Sequence, residues 1–184
     1  MKSIAIVASL LVAASANEQE STNLRRDLAT SRKDGWLAAH NTRRAEYHDV
    51  PLSWSSGLRN EALKLAKAMS SNKCTISAPT NMVYGINLNA RQGYPRVPTT
   101  EWVVKGWESK IDDEENNGMI VQALWKATEY VGCADSYNAV EKCSVSVCLY
   151  AKAGNCNMGN YASWEEAVVN GPGCGACPPE KATC

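Results

Sequence analysis

The chain has 184 residues, 45% of them hydrophobic and 21% charged, which is ordinary for a globular protein. Nineteen Lys and Arg residues balance nineteen Asp and Glu residues, which argues against a general binder of nucleic acids or acidic polymers, because these partners attract a basic surface. About 165 residues remain if a leader is removed, enough for one domain with its own core.

The N-terminal segment, residues 1–16, has the pattern of a secretory signal peptide. Lys2 gives it a positive start, Ile4–Val12 is nearly all apolar, and Ala14-Ser15-Ala16 supplies small residues for cleavage. The apolar run is too short to span a bilayer, and no later segment is long enough. We therefore predict a secreted, extracellular protein with no transmembrane segment. A buried N-terminal helix is the alternative interpretation.

A polar stretch without an apolar period, residues 17–33, follows the leader. It cannot bury enough apolar surface to order itself, so we expect a flexible arm. Arg25-Arg26 within it is either a dibasic processing site or a solvated basic pair.

Apolar spacing and the positions of Gly and Pro predict four helices and three strands in the rest of the chain. In order these are a helix capped by Asp34 and running to about His48, a helix over 56–70, a strand over 82–88, a loop over 91–99, helices over 100–111 and 119–128, and strands over 130–134 and 144–150. Helices that flank a few strands indicate an α+β protein, a three-layer α-β-α sandwich. The tail from Gly171 is rich in Gly, Pro and Cys and too small for a core of its own, so disulfides have to hold it.

The number of cysteines is even, and the context is secretory, so disulfides are expected. They lie at Cys74, Cys133, Cys143, Cys148, Cys156, Cys174, Cys177 and Cys184. Eight cysteines allow 105 pairings, and spacing alone does not choose among them.

Several segments, in order, resemble the signatures of the CAP superfamily, which includes cysteine-rich secretory proteins, venom allergens and plant pathogenesis-related proteins. They are His40-Asn41-Thr42-Arg43-Arg44, Pro51-Leu52-Ser53-Trp54, Tyr84-Gly85-Ile86-Asn87-Leu88, Gly118–Trp125 with Gln122, Val131-Gly132-Cys133, Val147–Asn155 and the cysteine-rich tail. The resemblance covers about Gly35–Cys184. It implies a CAP domain over 34–160 and a short cysteine-rich C-terminal extension over 161–184.

The same resemblance implies a disulfide pattern and a set of structural residues. It suggests pairing Cys74 with Cys143 and Cys133 with Cys148, while the remaining four cysteines pair among themselves. It also assigns structural rather than chemical roles to its motif residues, which are His40, Asn41, Arg44, Gln122 and Trp125.

The cleft of the family usually carries two histidines and two glutamates that can hold a divalent metal. Carried over to this chain, these positions are Ile76, Ile86, Lys110 and Met119. The chain has two histidines, His40 and His48, which would lie about 12 Å apart on one helix, too far to share an ion. We therefore predict a degenerate member with no metal, no cofactor and no catalytic residues.

Without cleft chemistry, a binding role is the remaining interpretation. The first hypothesis is a protein-interaction or effector role in the extracellular space, with loop Asn89–Thr99 and tail Pro172–Cys184 as contact surfaces, since loops on a rigid scaffold carry recognition. The alternative is sterol or fatty-acid binding in an apolar cleft. Sterol-binding members carry an aromatic motif before helix three, which is incomplete here, and Trp102 and Trp107 are otherwise expected to pack that helix.

Overall fold

The computed structural model describes residues 30–184. The predicted signal peptide, residues 17–29 of the predicted arm and Arg25-Arg26 lie outside the described residues. The chain divides into two units, Met1–Asp34 and Gly35–Cys184, and the second contains every strand described below. Among residues 30–184, no helix is both long enough and apolar enough to cross a membrane.

The first helix, α1, is described over residues 30–46. The prediction that Asp34 caps it is wrong, because Asp34 lies inside the helix. Residues 30–33, expected in the arm, are polar and mostly exposed, so helical hydrogen bonding extends the element beyond the apolar stripe that indicated it.

The second helix, α2, spans Ser56–Ser71, close to the predicted 56–70. Ser55 caps it, because its side-chain oxygen accepts a hydrogen bond from the Leu58 N–H at 3.0 Å. Its buried apolar residues repeat every three or four positions, which places one apolar stripe against the sheet; they are Leu58, Ala62, Ala66 and Met69.

The sheet has four strands in the order β1-β3-β4-β2. The strands are β1 (Ser53–Trp54), β2 (Gly85–Gln92), β3 (Tyr130–Asn138) and β4 (Cys143–Ala151). The short β1 pairs in parallel with β3, and the other neighbours are antiparallel. Gly132 lets α2 approach closely, since a Cβ there would collide with the main chain at Leu58 and Arg59.

Two predicted strands have different bounds in the structure, and a third strand was missed. The strand predicted over 130–134 continues to Asn138. The strand predicted over 82–88 begins at Gly85 and continues to Gln92, through residues 91 and 92 that were assigned to a loop. The added residues are mostly polar, so they lack an apolar signal, but each has a register partner in β4. The strand β1 was not predicted, since two residues carry no period.

The remaining helices are α3 (Thr100–Glu108), α4 (Gly118–Leu124) and α5 (Trp164–Asn170), with a 3-10 turn at Met158–Asn160. Both α3 and α4 are shorter than predicted. The helix α5 was not predicted, yet it buries Ala167 and Val168 in the core.

Two hydrophobic clusters cover the two faces of the sheet. One joins α2 to every second residue of β4, on the face of the sheet toward α2; among them are Val145, Val147 and Leu149. The other joins residues of α1, α3, α4 and α5, including Trp36 and Trp107, with Trp125, which follows α4 directly. The predicted three-layer α-β-α sandwich is thus confirmed.

Four disulfides connect the described cysteines. Cys74 pairs with Cys143 and Cys133 with Cys148, the two pairs that the resemblance implied. The others are Cys156–Cys174 and Cys177–Cys184, so the tail cysteines pair with one another and with Cys156.

Candidate functional site

The four positions aligned with the family's ionisable cleft residues do not all meet. Ile86 on β2 and Met119 on α4 are partly buried and pack against the same hydrophobic cluster. Ile76 is 39% exposed in a segment without regular structure. Lys110 is exposed after α3, and its Nζ lies 3.8 Å from Asp113. The structure therefore brings two of the four together, and both are apolar.

These residues do not fit a divalent metal. None of the four positions offers an imidazole or a carboxylate, the groups that zinc prefers. Within residues 30–184, the one group of three potential ligands is His40, Cys133 and Cys148. The two cysteines are oxidised to a disulfide with each other, so neither is a thiolate ligand.

His40 is instead part of a buried hydrogen-bond chain. Its Nδ1 lies 2.8 Å from the Trp36 carbonyl, which can only accept, so Nδ1 carries the proton. Its Nε2 then accepts a hydrogen bond from the Tyr150 hydroxyl at 2.8 Å. The Asn87 amide donates to that hydroxyl oxygen at 2.9 Å and to the Met119 carbonyl at 2.7 Å.

The protonation states in this chain follow from burial. The pKa of His40 is lowered to about 4, mainly by desolvation and to a smaller extent by the Arg44 charge, while the bond to Trp36 opposes the shift. Burial also raises the pKa of Tyr150 well above its usual value. His40 is 1% exposed and both ring nitrogens are engaged. At neutral pH it is a neutral imidazole closed off from any substrate.

Arg44 is a buried cation that holds three chain segments together. Its Nε donates to the Val50 carbonyl at 2.6 Å, and Nη1 donates to the carbonyls of Ala123 and Trp125, both at 3.0 Å. Its Nη2 donates to Thr128 at 3.3 Å. Burial lowers the pKa of Arg44, and the charge of Asp49 partly offsets this effect. The guanidinium thereby satisfies carbonyls that the end of α4 leaves free.

The other motif residues bond to the main chain in the same manner. The side-chain amide nitrogen of Asn41 donates to the Leu52 carbonyl at 3.2 Å, and its amide oxygen accepts from the Leu52 N–H at 2.8 Å. Gln122 accepts from the Gly154 N–H at 2.8 Å and donates to a buried threonine hydroxyl. Trp125 donates to the Pro172 carbonyl at 3.0 Å. Each of them positions a loop.

Arg43, which directly precedes Arg44 on α1, was not singled out from the sequence. Its guanidinium contacts the carboxylates of Glu101 at 2.6 Å and Glu108 at 2.8 Å, which ties α1 to α3. Desolvation opposes its charge, but the hydrogen bonds and charges of the two glutamates outweigh this and raise its pKa. Both carboxylates are therefore ion-paired with Arg43.

The two tryptophans of α3 have different environments. Trp107 is buried, stacks on Trp36 at a centroid distance of 6.3 Å, and donates to the Leu88 carbonyl at 3.3 Å. Trp102, also expected to pack the helix, is 45% exposed. The sequence contained a signal for this difference, since positions five apart on a helix point about 140° apart.

The cysteine-rich tail returns to the start of α2. Desolvation acts to raise the pKa of Glu180, but hydrogen bonds from the Ser55 hydroxyl and from main-chain N–H groups of Gly57 and Ser56 lower it. The first turn of α2 contains no acidic residue of its own. Glu180 therefore supplies the negative charge that a helix N-terminus favours.

One open cleft, of about 440 Å³, lies near the β1 edge of the sheet. None of Ile76, Ile86, Lys110 and Met119 is among its lining residues, which are Val50, Pro51, Ser53, Lys126, Thr128, Glu129 and Tyr130. This cleft and the aligned cleft positions are thus separate features.

Comparisons with known proteins bear on this geometry. The family model described as CAP, cysteine-rich secretory protein family, matches residues 37–150. The STS14 protein of Solanum tuberosum is 30% identical over 132 residues, which cover 65% of this chain and 60% of that protein. The fruiting body protein SC14 of Schizophyllum commune is 30% identical over 108 residues, covering 55% and 47%. The match thus spans less than two thirds of these relatives.

Solved structures share the fold at low identity. The crystal structure of MpPR-1i has a TM-score of 0.56 and 19% identity, covering 73% of this chain and 96% of that one. The crystal structure of NaASP2 with Zn2+ has a TM-score of 0.58 and 16% identity, covering 67% and 80%. The zinc in that structure is a property of that protein.

Proposed function

Since the chain belongs to the cysteine-rich secretory protein (CAP) family, we propose that it is a non-enzymatic extracellular protein that acts by binding another protein, in an effector role. The four disulfides and the relatives described above are consistent with an extracellular location.

The observation that carries the proposal is the state of the ionisable groups around the cleft. The aligned positions Ile86 and Met119 are apolar and packed, and His40 is a neutral, buried imidazole bonded at both nitrogens. Catalysis needs a proton donor, a proton acceptor or a nucleophile that can reach the substrate. Ile86, Met119 and the buried His40 provide none of these groups, which supports a role in which the protein's surface contacts a partner.

The surface loops are held in place, which favours recognition by contact. The Cys74–Cys143 disulfide fixes the start of β4 next to Gln92, and Cys156–Cys174 fixes the tail beside Ala153. A loop that is already ordered loses less entropy on binding, so its contacts contribute more to affinity.

The second candidate function is the binding of a sterol or fatty acid. Ile86 and Met119, together with Met82 and Tyr84, are partly buried and pack against the same hydrophobic cluster, so the aligned cleft positions have apolar surroundings. Hydrophobic lining is typical of small-molecule sites. Ile86→Arg would place a charge among these side chains.

Binding of the labelled, disulfide-intact chain to intact target cells tests both functions. A protein partner predicts saturable binding that is lost when the cells are treated with protease and retained when Ile86 is replaced by arginine. A lipid ligand predicts the opposite result: binding that survives protease and is lost in Ile86→Arg. Peptide turnover by the wild-type chain that disappears in His40→Ala would contradict a non-enzymatic role.

A further inference from the structure

An arginine lies between two half-exposed aromatic rings at the end of β2. The guanidinium carbon of Arg91 is 3.2 Å from the ring centroid of Tyr94 and 4.5 Å from that of Trp102. The rings are 47% and 45% exposed. We call these three residues the Arg91 cluster. Both aromatic side chains contact the cation, so the rings hold the guanidinium in a defined orientation.

The Arg91 cation has no carboxylate partner in the part of the chain that the structure describes. Glu101, the acidic residue closest to it along the following helix, contacts Arg43 at 2.6 Å and Lys105 at 3.6 Å. The segment 89–100 carries Arg91 and Arg96 and no acidic residue. The cluster is therefore a positively charged site whose own neighbours do not neutralise it.

The main chain beside Arg91 is an open sheet edge. β2 is the outermost strand, and no further strand pairs with it within residues 30–184. Gly93 donates its N–H to Lys142 on the β4 side, and the Leu88 carbonyl accepts from Trp107 on the other side. Because these directions alternate along an antiparallel strand, the N–H and C=O groups of Ala90 and Gln92 face away from β4.

From these features we propose that the Arg91 cluster and the adjacent edge of β2 bind an extended, acidic segment of a partner protein. A carboxylate of the segment accepts paired hydrogen bonds from the Arg91 guanidinium, whose planar fork fits a carboxylate. Neighbouring side chains pack on the exposed rings of Tyr94 and Trp102, and the segment's main chain bonds to Ala90 and Gln92.

The residue types and their rigidity favour a polypeptide. Arg, Tyr and Trp are the residues that most often dominate the energy of protein interfaces. The Cys74–Cys143 disulfide anchors the register partner of Gln92, and Thr99 caps α3 by accepting from the Trp102 N–H at 3.2 Å. The cluster is thus ordered before a partner arrives. This inference rests on the proposed protein-binding function and names the chemistry of the partner.

Selection from random peptides displayed on phage tests the inference with the full, oxidised chain as bait. We expect the wild-type chain to enrich peptides rich in Asp and Glu, and Arg91→Gln to lose that enrichment. Arg96→Gln is the matched control, because it removes the same charge from the exposed loop that follows β2, outside the cluster. For an enriched peptide, Arg91→Gln should weaken binding by at least about tenfold and Arg96→Gln by less than about threefold.

Three outcomes would overturn the inference. The first is enrichment of peptides without acidic residues, and the second is an equal loss of binding in Arg91→Gln and Arg96→Gln. The third is binding of an acidic polysaccharide, tested with pectate, through Arg91 without binding of any acidic peptide.

The cell-binding experiment separates the two proposals. If protease-sensitive binding to cells is unchanged in Arg91→Gln, the protein-binding function stands and this site is wrong, whereas no such binding by the wild-type chain contradicts the function itself.

Discussion

The two faces of the sheet are stabilised by different kinds of contact. The face toward α2 is packed by aliphatic side chains such as Leu58, Val145 and Val147. The face toward α1 contains buried polar groups, of which His40, Tyr150 and Arg44 are no more than 1% exposed. Aliphatic packing tolerates changes of shape, whereas buried polar groups need partners in fixed directions. We call the face toward α1 the polar face, although it also has a hydrophobic cluster, and the face toward α2 the apolar face; the buried polar groups of the first fix the loops.

The largest effect expected from this difference is at Arg44. Replacing Arg44 with methionine keeps most of the side-chain volume but leaves the buried carbonyls of Ala123 and Thr128 without a donor. The half-buried bond to Val50 is also lost, while the Trp125 carbonyl keeps its bond from a main-chain N–H. We expect the free energy of unfolding to fall by roughly 4 kcal/mol or more, since each unsatisfied group costs about 1–3 kcal/mol. Urea unfolding of the oxidised protein measures this change. A loss below about 1 kcal/mol would show that water replaces the guanidinium without penalty.

Acid should weaken the polar face through His40. Its pKa is about 4 in the folded protein and 6.5 in its ordinary state, so the unfolded chain binds the proton more tightly. The contribution is fully present above pH 6.5 and is lost as the pH falls to about 4, a total of about 3 kcal/mol. The free energy of unfolding, measured with urea in steps from pH 7 to about pH 5, should fall by up to about 1.4 kcal/mol per pH unit because of this group.

The second histidine provides the control for this pH effect. His48 is exposed, so His48→Gln should keep the slope, whereas His40→Gln should flatten it. If His40→Gln does not fold, the comparison of wild-type protein with His48→Gln remains decisive. A flat stability profile between pH 6.5 and 5 in both would contradict the buried neutral imidazole.

Matched conservative changes compare the two faces directly. Tyr150→Phe removes only a hydroxyl, but it leaves His40 Nε2 without its donor, so we expect a loss of about 2 kcal/mol. Leu58→Met on the apolar face preserves volume and should cost less than about 1.5 kcal/mol. Thermal or urea unfolding of both variants gives the ranking, and the reverse order would mean that packing, not hydrogen bonding, dominates the polar face.

The smallest expected effect concerns the tail. Glu180→Gln removes the negative charge at the N-terminus of α2 while keeping the side chain's length, so stability should fall by about 0.5 kcal/mol at low salt. High salt should reduce the difference between the variant and the wild type, because the interaction is exposed and screened. Glu141→Gln, an exposed glutamate away from a helix start, is the control and should change little.

The elements that the sequence predicted correctly are those whose signal is local. The stripe of α2 and the alternation in β4 depend on neighbouring residues, so period alone indicated them. The polar half of β2 was assigned to a loop because Arg91 and Gln92 are strand residues only through their pairing with β4. For the site, the four aligned positions followed from the sequence, but the contacts of Arg91 did not, since they bring together a strand, a loop and a helix.

The docking of Glu180 on α2 has a consequence for the order in which the chain acquires its structure. The helix begins at Ser56, but the carboxylate that completes its first turn belongs to Glu180, which follows much later along the chain. During synthesis, the ribosome has to release nearly the whole domain before that turn can be finished. Until then, the main-chain N–H groups of Ser56 and Gly57 bond to water, so the start of this helix is completed only late in synthesis.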